Sequence, residues 1–354
     1  MTSTNPRLPH QTADIFLTDG GTETWLMYKR GFELPEFSAF HLLNDERSAA
    51  ALREYYTAFA RVAVRLGTPF IFDSLTYRAS RDWGTLLGYS SQSLAEMNHK
   101  CFELYRECAA EAGLAEENTV ISGCIGPKGD AYKTNQDLTA EVAKAYHAEQ
   151  IETFKAAGAD IVTALTLNTT DEAIGIARAS SEAGIPSVIS FTIEKDRKLR
   201  SGETLKQAIE TVDAATSNAP AYYMINCTHP TEFEPGLTAG DWTRRLGGFL
   251  PNAVAMETLD LCKLGHLEDG DVIFIPTYTA RVNLGGEFKR VYAYEVLPGE
   301  TLDKVFEWSG GFTEQAFKDK IYVERVGAVS FYADVVSKEQ FSTYALQGGD
   351  FLVA

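Results

Sequence analysis

Two cysteines stand where a β-prone run gives way to a loop. Tyr222–Asn226 is followed by Cys227, Thr228, His229 and Pro230, and Thr119–Gly123 is followed by Cys124. Pro230 has no N–H to give a sheet ladder, so the strand ends by that point. A thiol at such a place is a soft metal ligand or a nucleophile once ionised. It is equally a small apolar filler, since free cysteine is among the most buried residue types.

The elements that must position these thiols repeat along the chain. Short apolar runs begin at Ile15, Pro69, Thr119, Asp160, Pro186 and Tyr222, and each is followed by a stretch of helical periodicity or by a polar loop leading into one. The spacing predicts helices near Ser48–Leu66, Ser91–Ala112, Leu138–Ala157, Thr170–Ala183 and Thr204–Ala215. Repeated βα units imply a parallel sheet with helices outside, closed as a (β/α)₈ TIM-type barrel or spread as a doubly wound sheet. Polar and Gly-rich residues follow the strands each time: Asp19-Gly20-Gly21, Asp73-Ser74, Cys124-Ile125-Gly126-Pro127 and Cys227-Thr228-His229. Loop chemistry gathered at one strand end favours the barrel, whose reactive face is the C-terminal one. No G-x-G-x-x-G follows the first strand, which argues against a dinucleotide site. A seventh strand is expected near Leu246–Ala255 and a helical patch at Glu257–Leu264.

Beyond Leu267-Glu268-Asp269-Gly270-Asp271 the pattern changes. Val272–Ile275, Arg281–Leu284, Tyr292–Val296, Ile321–Val326 and Ala328–Tyr332 read as strands, with a helix opened by Thr301 and ended by Gly310-Gly311. This is a small α+β unit. Leu346–Val353 resembles Leu267–Ile275 and reads as the start of a further copy. The chain is therefore divided into a polar N-terminal tail (1–13), a barrel (14–268) and a second domain (269–354).

Composition limits the partners. The 354 residues carry a net charge of −17, which excludes nucleic-acid backbones and anionic membranes as natural partners. Five cysteines without framework spacing point to a reducing compartment. No run reaches transmembrane length and the N-terminal stretch has no apolar core, so a soluble cytoplasmic protein is expected. Cys101, Cys108 and Cys262 fall in helical stretches and read as packing. Tyr77 and Trp83, after the second strand, read as rim packing or as a substrate wall.

Residues 14–270 resemble the homocysteine S-methyltransferase family. The resemblance is carried by LTDGGTETWL (17–26), DSLTYRASRDWG (73–84), SGCIGPKGDAY (122–132), YHAEQIETFKAAGADIVTALTLN (146–168), ISFTIEKD (189–196) and MINCTHP (224–230). It implies a (β/α)₈ barrel in which three Cys thiolates hold one zinc at the strand ends, and the zinc binds the homocysteine sulfur. Zinc would lower the thiol pKa and leave a nucleophilic sulfur, which takes a methyl group from a sulfonium or ammonium donor to form methionine. Cys227 matches the first zinc cysteine of that pattern. Asp19, Gly20 and Gly21 match the loop that lines the homocysteine pocket.

Two departures from the family pattern stand out. Leu165 occupies the place of a glutamate that grips the substrate amino group. The adjacent Cys pair of the family's Gly-Gly-Cys-Cys motif, which supplies the other two zinc ligands, is missing, because the sole cysteine after Cys227 is Cys262. Cys124, Cys227 and His229 would make a chemically sensible substitute zinc set. Strands three and six face each other across a barrel, so that set would have to span it.

The tail, 267–354, resembles the soluble-ligand-binding β-grasp domain of polysaccharide export proteins. The matching text is GDVIFIP (270–276), RVNLGGEFKRVYAYEVLPGETLDKVFEWSGGF (281–312) and IYVERV (321–326). That resemblance implies a glycan or another copy as partner. The barrel is expected to lack its eighth strand, with the gap covered by tail residues or by an oligomer. The functional expectation is methyl transfer to homocysteine where the site is complete, with a catalytically dead barrel fused to a glycan-binding module as the alternative.

Overall fold

The structure is a computed structural model and describes residues 6–73, 75–131, 137–237, 240–252, 281–296, 299–326, 331–347 and 349–354. It divides into two compact units, Met1–Leu267 and Glu268–Ala354.

In the first unit seven parallel strands follow one another in chain order. They are β1 (Leu17–Thr18), β2 (Phe70–Phe72), β3 (Thr119–Ile125), β4 (Ile161–Leu167), β5 (Ser187–Phe191), β6 (Tyr222–Asn226) and β7 (Leu246–Leu250). Helices Glu46–Leu66, Ser91–Ala112, Ala140–Ala156, Thr170–Ala183 and Leu205–Thr216 make the crossovers. Their ends have local causes. Asp45 accepts the Ser48 N–H at 2.9 Å to open the first, and Thr204 with Gln207 forms a capping box for the last. Gly67, Gly113 and Gly184 close three of them with positive φ, the backbone state glycine adopts without a Cβ penalty.

Strands β3 to β6 are buried on both faces, as helix-covered parallel strands must be. β7 is half exposed along its length. Among the described residues β1 pairs with β2 alone and β7 with β6 alone, so the sheet is a curled, incomplete barrel. The expected strand Val272–Ile275, the helical patch at Glu257–Leu264 and Cys262 lie outside the described residues.

Strand alternation sorts the side chains. Ile121, Val162, Ile189 and Tyr223 belong to the large core shared with the helices, while Val120, Ile161, Val188, Tyr222 and Met224 form a separate inner cluster. Leu8 packs into that inner cluster. The stretch expected to be a polar tail thus contributes a core side chain. Above this floor the interior turns polar: Ser122 and Thr163 share a hydrogen bond of 2.8 Å. The polar layer leads up to the strand ends, where Cys124 and Asn226 sit.

The second unit has its own sheet, ordered β11–β10–β12–β8–β9, built from β8 (Arg281–Gly285), β9 (Ala293–Glu295), β10 (Lys320–Val326), β11 (Phe331–Ser337) and β12 (Phe351–Val353). Helix Leu302–Ser309 contributes Leu302 and Val305 to a core with Val282, Leu284, Ile321, Val323, Val336 and Leu352. Leu346–Val353 carries strand β12, which lies in the middle of the sheet, antiparallel to β10 and parallel to β8; the stretch it resembles, Leu267–Ile275, lies outside the described residues. Asp350, fully buried just before β12, accepts two hydrogen bonds from Arg325 of β10 and one from the Gln347 N–H. This anchoring depends on tertiary pairing, which the local text could not reveal.

Candidate functional site

The C-terminal ends of the strands carry the polar residues the sequence singled out. After β1, the buried Asp19 accepts the Asp73 N–H at 2.9 Å, so its carboxylate ties the end of β1 to the end of β2. Gly20 donates its N–H to the Tyr55 hydroxyl at 3.1 Å. A Cβ on Gly21 would lie 2.4 Å from Thr24 Oγ1, so that position is kept bare by the turn itself. Both the pocket-lining and the tight-turn readings of this loop are compatible with this geometry.

After β2, Thr76 donates its hydroxyl to the Cys124 carbonyl and accepts the Cys124 N–H, both at 2.9 Å. The next residue, Tyr77, lies against Gly126: the Gly126 N–H donates to the Tyr77 carbonyl at 3.0 Å, and a Cβ there would meet the Tyr77 ring at 2.9 Å. Burial raises the Tyr77 phenol above its ordinary value. Arg78 and a hydrogen bond with Thr166 oppose the rise, and the neighbouring Cys227 and Cys124 add to it. Tyr77 therefore sits within electrostatic reach of both cysteines. It belongs to the mouth of the barrel, which the sequence left open between wall and rim.

After β6, Asn226 organises the other side. Its Nδ2 donates to Cys227 Sγ at 3.2 Å and to Thr166 Oγ1 at 3.1 Å. Its Oδ1 accepts the Thr166 N–H at 3.0 Å and the Ser190 hydroxyl at 2.6 Å. Cys227 itself has φ +55° and Thr166, at a register shift in β4, has φ +63°. Such left-handed conformations are costly for residues with a Cβ, and Thr166 is β-branched besides. They re-aim both side chains relative to strand alternation. Asn252 secures the same corner by donating to the Cys227 carbonyl at 2.9 Å.

His229 does something else. Its Nδ1 accepts the Thr231 N–H at 3.3 Å and pairs with the Thr231 hydroxyl at 2.8 Å, capping the short helix Pro230–Phe233. The strand ends at Asn226, and Pro230 takes the first helical position, where its missing N–H costs nothing.

Two charged residues of the mouth escaped sequence reasoning. Glu23, on the helical turn after β1, is half-buried; burial pushes its carboxyl up to about 7, while a hydrogen bond with its own backbone and the charge of Arg78 hold it back. The Arg78 guanidinium carbon lies over the Trp83 ring, 3.9 Å from its centroid. The available signal was the pair of adjoining loops after β1 and β2, in which Glu23 and Arg78 stand close in sequence to Trp25, Tyr77 and Trp83.

The donor set can be tested against the zinc the resemblance implies. Among the described residues no three His, Cys, Asp or Glu side chains gather closely enough to hold a metal ion. Cys227 is a single thiol, His229 is engaged as a cap, and the chain has no Cys-Cys pair. The described residues do not fit a three-ligand zinc centre.

Residues 16–264 match the family model described as homocysteine S-methyltransferase. Among solved structures, the metallated form of the homocysteine methyltransferase MmuM from Escherichia coli is 22% identical, with a TM-score of 0.54 over 72% of this chain and 96% of that one. Its oxidised form is 23% identical, with a TM-score of 0.54 over 73% and 99%. At that identity the likeness speaks for the fold. No curated protein matches the chain. The family model spans well over half of the residues, and the chain belongs to the homocysteine S-methyltransferase family.

Proposed function

We propose that the barrel mouth is a pocket for homocysteine, the acceptor of a methyl group from an activated donor, and that this chain lacks the thiols to complete metal-assisted transfer alone. Family membership supports the acceptor and the reaction class. The observation that carries the reading is the placement of Cys227 at the end of β6, with Asn226 donating to its sulfur.

The reaction is a displacement at carbon. The homocysteine sulfur loses its proton and forms a bond to the methyl carbon, and the bond from that carbon to the donor's sulfur or nitrogen breaks. The donor leaves as a neutral sulfide or amine, and the acceptor becomes methionine. The protein's part is to hold the sulfur and the methyl group in line and to exclude water. Asp19, Gly20 and Gly21 bound one side of the pocket, and Tyr77, Thr166 and Cys227 the other. Zinc, which keeps the acceptor sulfur ionised in a complete site, would find one ligand, Cys227, among the residues described.

The test is metal analysis together with a methyl-transfer assay on the purified chain, using homocysteine and a panel of sulfonium, betaine and folate donors. The expected result is homocysteine binding, substoichiometric zinc and no methionine. One zinc per chain with methionine formation would overturn the incomplete-site reading. Failure to bind homocysteine would overturn the pocket.

A further inference from the structure

The sheet of the second unit has two unlike faces. On one, Ile321, Val323, Val336 and Leu352 pack with Leu302 and Val305 of the helix. Side chains alternate along a strand, so Lys320, Tyr322 and Glu324 of β10 belong to the opposite face. Tyr322 stands at its centre, paired with Val335 on β11 and with Val353 on β12. This face is open to solvent: Tyr322 is 45% exposed, Val335 56% and Phe351 38%. The Phe351 ring reaches across β8 because Gly285 has no side chain; a Cβ there would lie 2.6 Å from Phe351 Cζ. Adjoining apolar side chains exposed on one face mark a contact surface.

Charge on the same face says what the partner is. Lys320 and Glu324 flank Tyr322 at equal spacing along β10, one basic and one acidic. Neither has an ion-pair partner among the described residues, and the Lys320 Nζ lies 5.6 Å from the Phe317 ring centroid. A two-fold axis lying between two such faces and crossing β10 at Tyr322 reverses the strand direction. It sets Tyr322 on the partner's Tyr322, Lys320 on the partner's Glu324, and Glu324 on the partner's Lys320. The pattern Lys-x-Tyr-x-Glu is therefore complementary to its own inverted copy. Packed sheets lie about 10 Å apart, a gap that a lysine and a glutamate side chain bridge together. We propose that two copies of this chain associate through this face, with Tyr322 at the centre and a Lys320–Glu324 pair on either side. Four strands and five residues of each cover roughly 300 Å² in projection, so the dimer is a weak one, formed at high concentration.

The test is sedimentation equilibrium of the full chain over a concentration series. The unsubstituted chain should pass from monomer to dimer. Lys320→Glu and Glu324→Lys should each raise the dissociation constant by roughly tenfold or more, since each turns two attractions into two repulsions. An equimolar mixture of these two variants should dimerise again, because one copy then offers two acidic ends and the other two basic ones. That recovery also shows that both variants are folded. The double variant Lys320→Glu/Glu324→Lys should associate with itself, and Tyr322→Asp, which sets two carboxylates face to face at the centre, should not. A chain that stays monomeric throughout the series would overturn the proposal and leave the face to a partner of another kind. A dimer that charge reversal leaves unchanged, or single variants that stay monomeric when mixed, would overturn it as well.

Discussion

Asn226 donates its side-chain N–H to the sulfur of Cys227, its neighbour in the chain, at 3.2 Å. The same amide also bonds to Thr166 on β4 and Ser190 on β5, so the thiol is aimed by three strands at once. A donor to sulfur favours the thiolate over the thiol. Replacing that donor with a carboxylate, Asn226→Asp, should slow alkylation of Cys227 by iodoacetamide by roughly tenfold, the factor that one unit of thiol pKa supplies. Peptide-resolved mass spectrometry separates Cys227 from the buried Cys101, Cys108 and Cys124. An unchanged rate would show that the amide serves the strands and not the sulfur.

Glu23 makes stability depend on pH. Burial moves its carboxyl from 4.5 to about 7, so between those values the folded chain holds a proton that the unfolded chain has lost. Stability from this group is therefore full below 4.5 and is lost as pH rises through about 7. Screening by its exposed part leaves an effect on the order of 2 kcal/mol. Urea melts at about pH 5 and about pH 8 should differ by that amount more for the native chain than for Glu23→Gln. Parallel behaviour of the two would refute the assignment.

Glu172 and His147 form a buried pair that fixes the loop after β3. One oxygen of Glu172 accepts from the Lys128 N–H at 2.6 Å and meets His147 Nε2 at 2.8 Å. Glu172→Ala would leave both groups buried without an acceptor and should cost about 3 kcal/mol. Amide exchange at Lys128 should speed up in the same variant. Glu172→Gln, which keeps a carbonyl acceptor, should lose less.

Gly175 lies at a close approach of helices Ala140–Ala156 and Thr170–Ala183. A Cβ there would lie 2.5 Å from the Ala143 Cβ, 2.6 Å from the Lys144 nitrogen and 2.7 Å from the Ala140 carbonyl oxygen. Two of these are backbone atoms and cannot swing aside. Gly175→Ala should therefore destabilise the barrel by about 1–3 kcal/mol, although alanine is the better helix former. A stabilised variant in thermal melts would contradict the packing.

Each unit has its own core, and Trp308 is the one tryptophan of the second. Denaturation followed by fluorescence should show two transitions, and Trp308→Phe should remove the signal of one. A single transition in both chains would mean the units unfold together.

Much of the barrel was legible because its signals are local. Helix Thr170–Ala183 has the limits its periodicity and Gly184 predicted, and Ser91–Ala112 likewise ends at Gly113. Caps and amphipathic spacing act over a few residues, so a linear reading captures them. The sequence by itself also determined that Cys227 stands at a strand end and that no cysteine pair accompanies it. What only the tertiary structure decided joins residues far apart in the chain. Leu8 enters the inner core, β12 takes the middle of the second sheet, and His229 turns to a cap. The physical reason is that burial and partner choice belong to the packed surface around a group, and that surface exists only once the strands have come together.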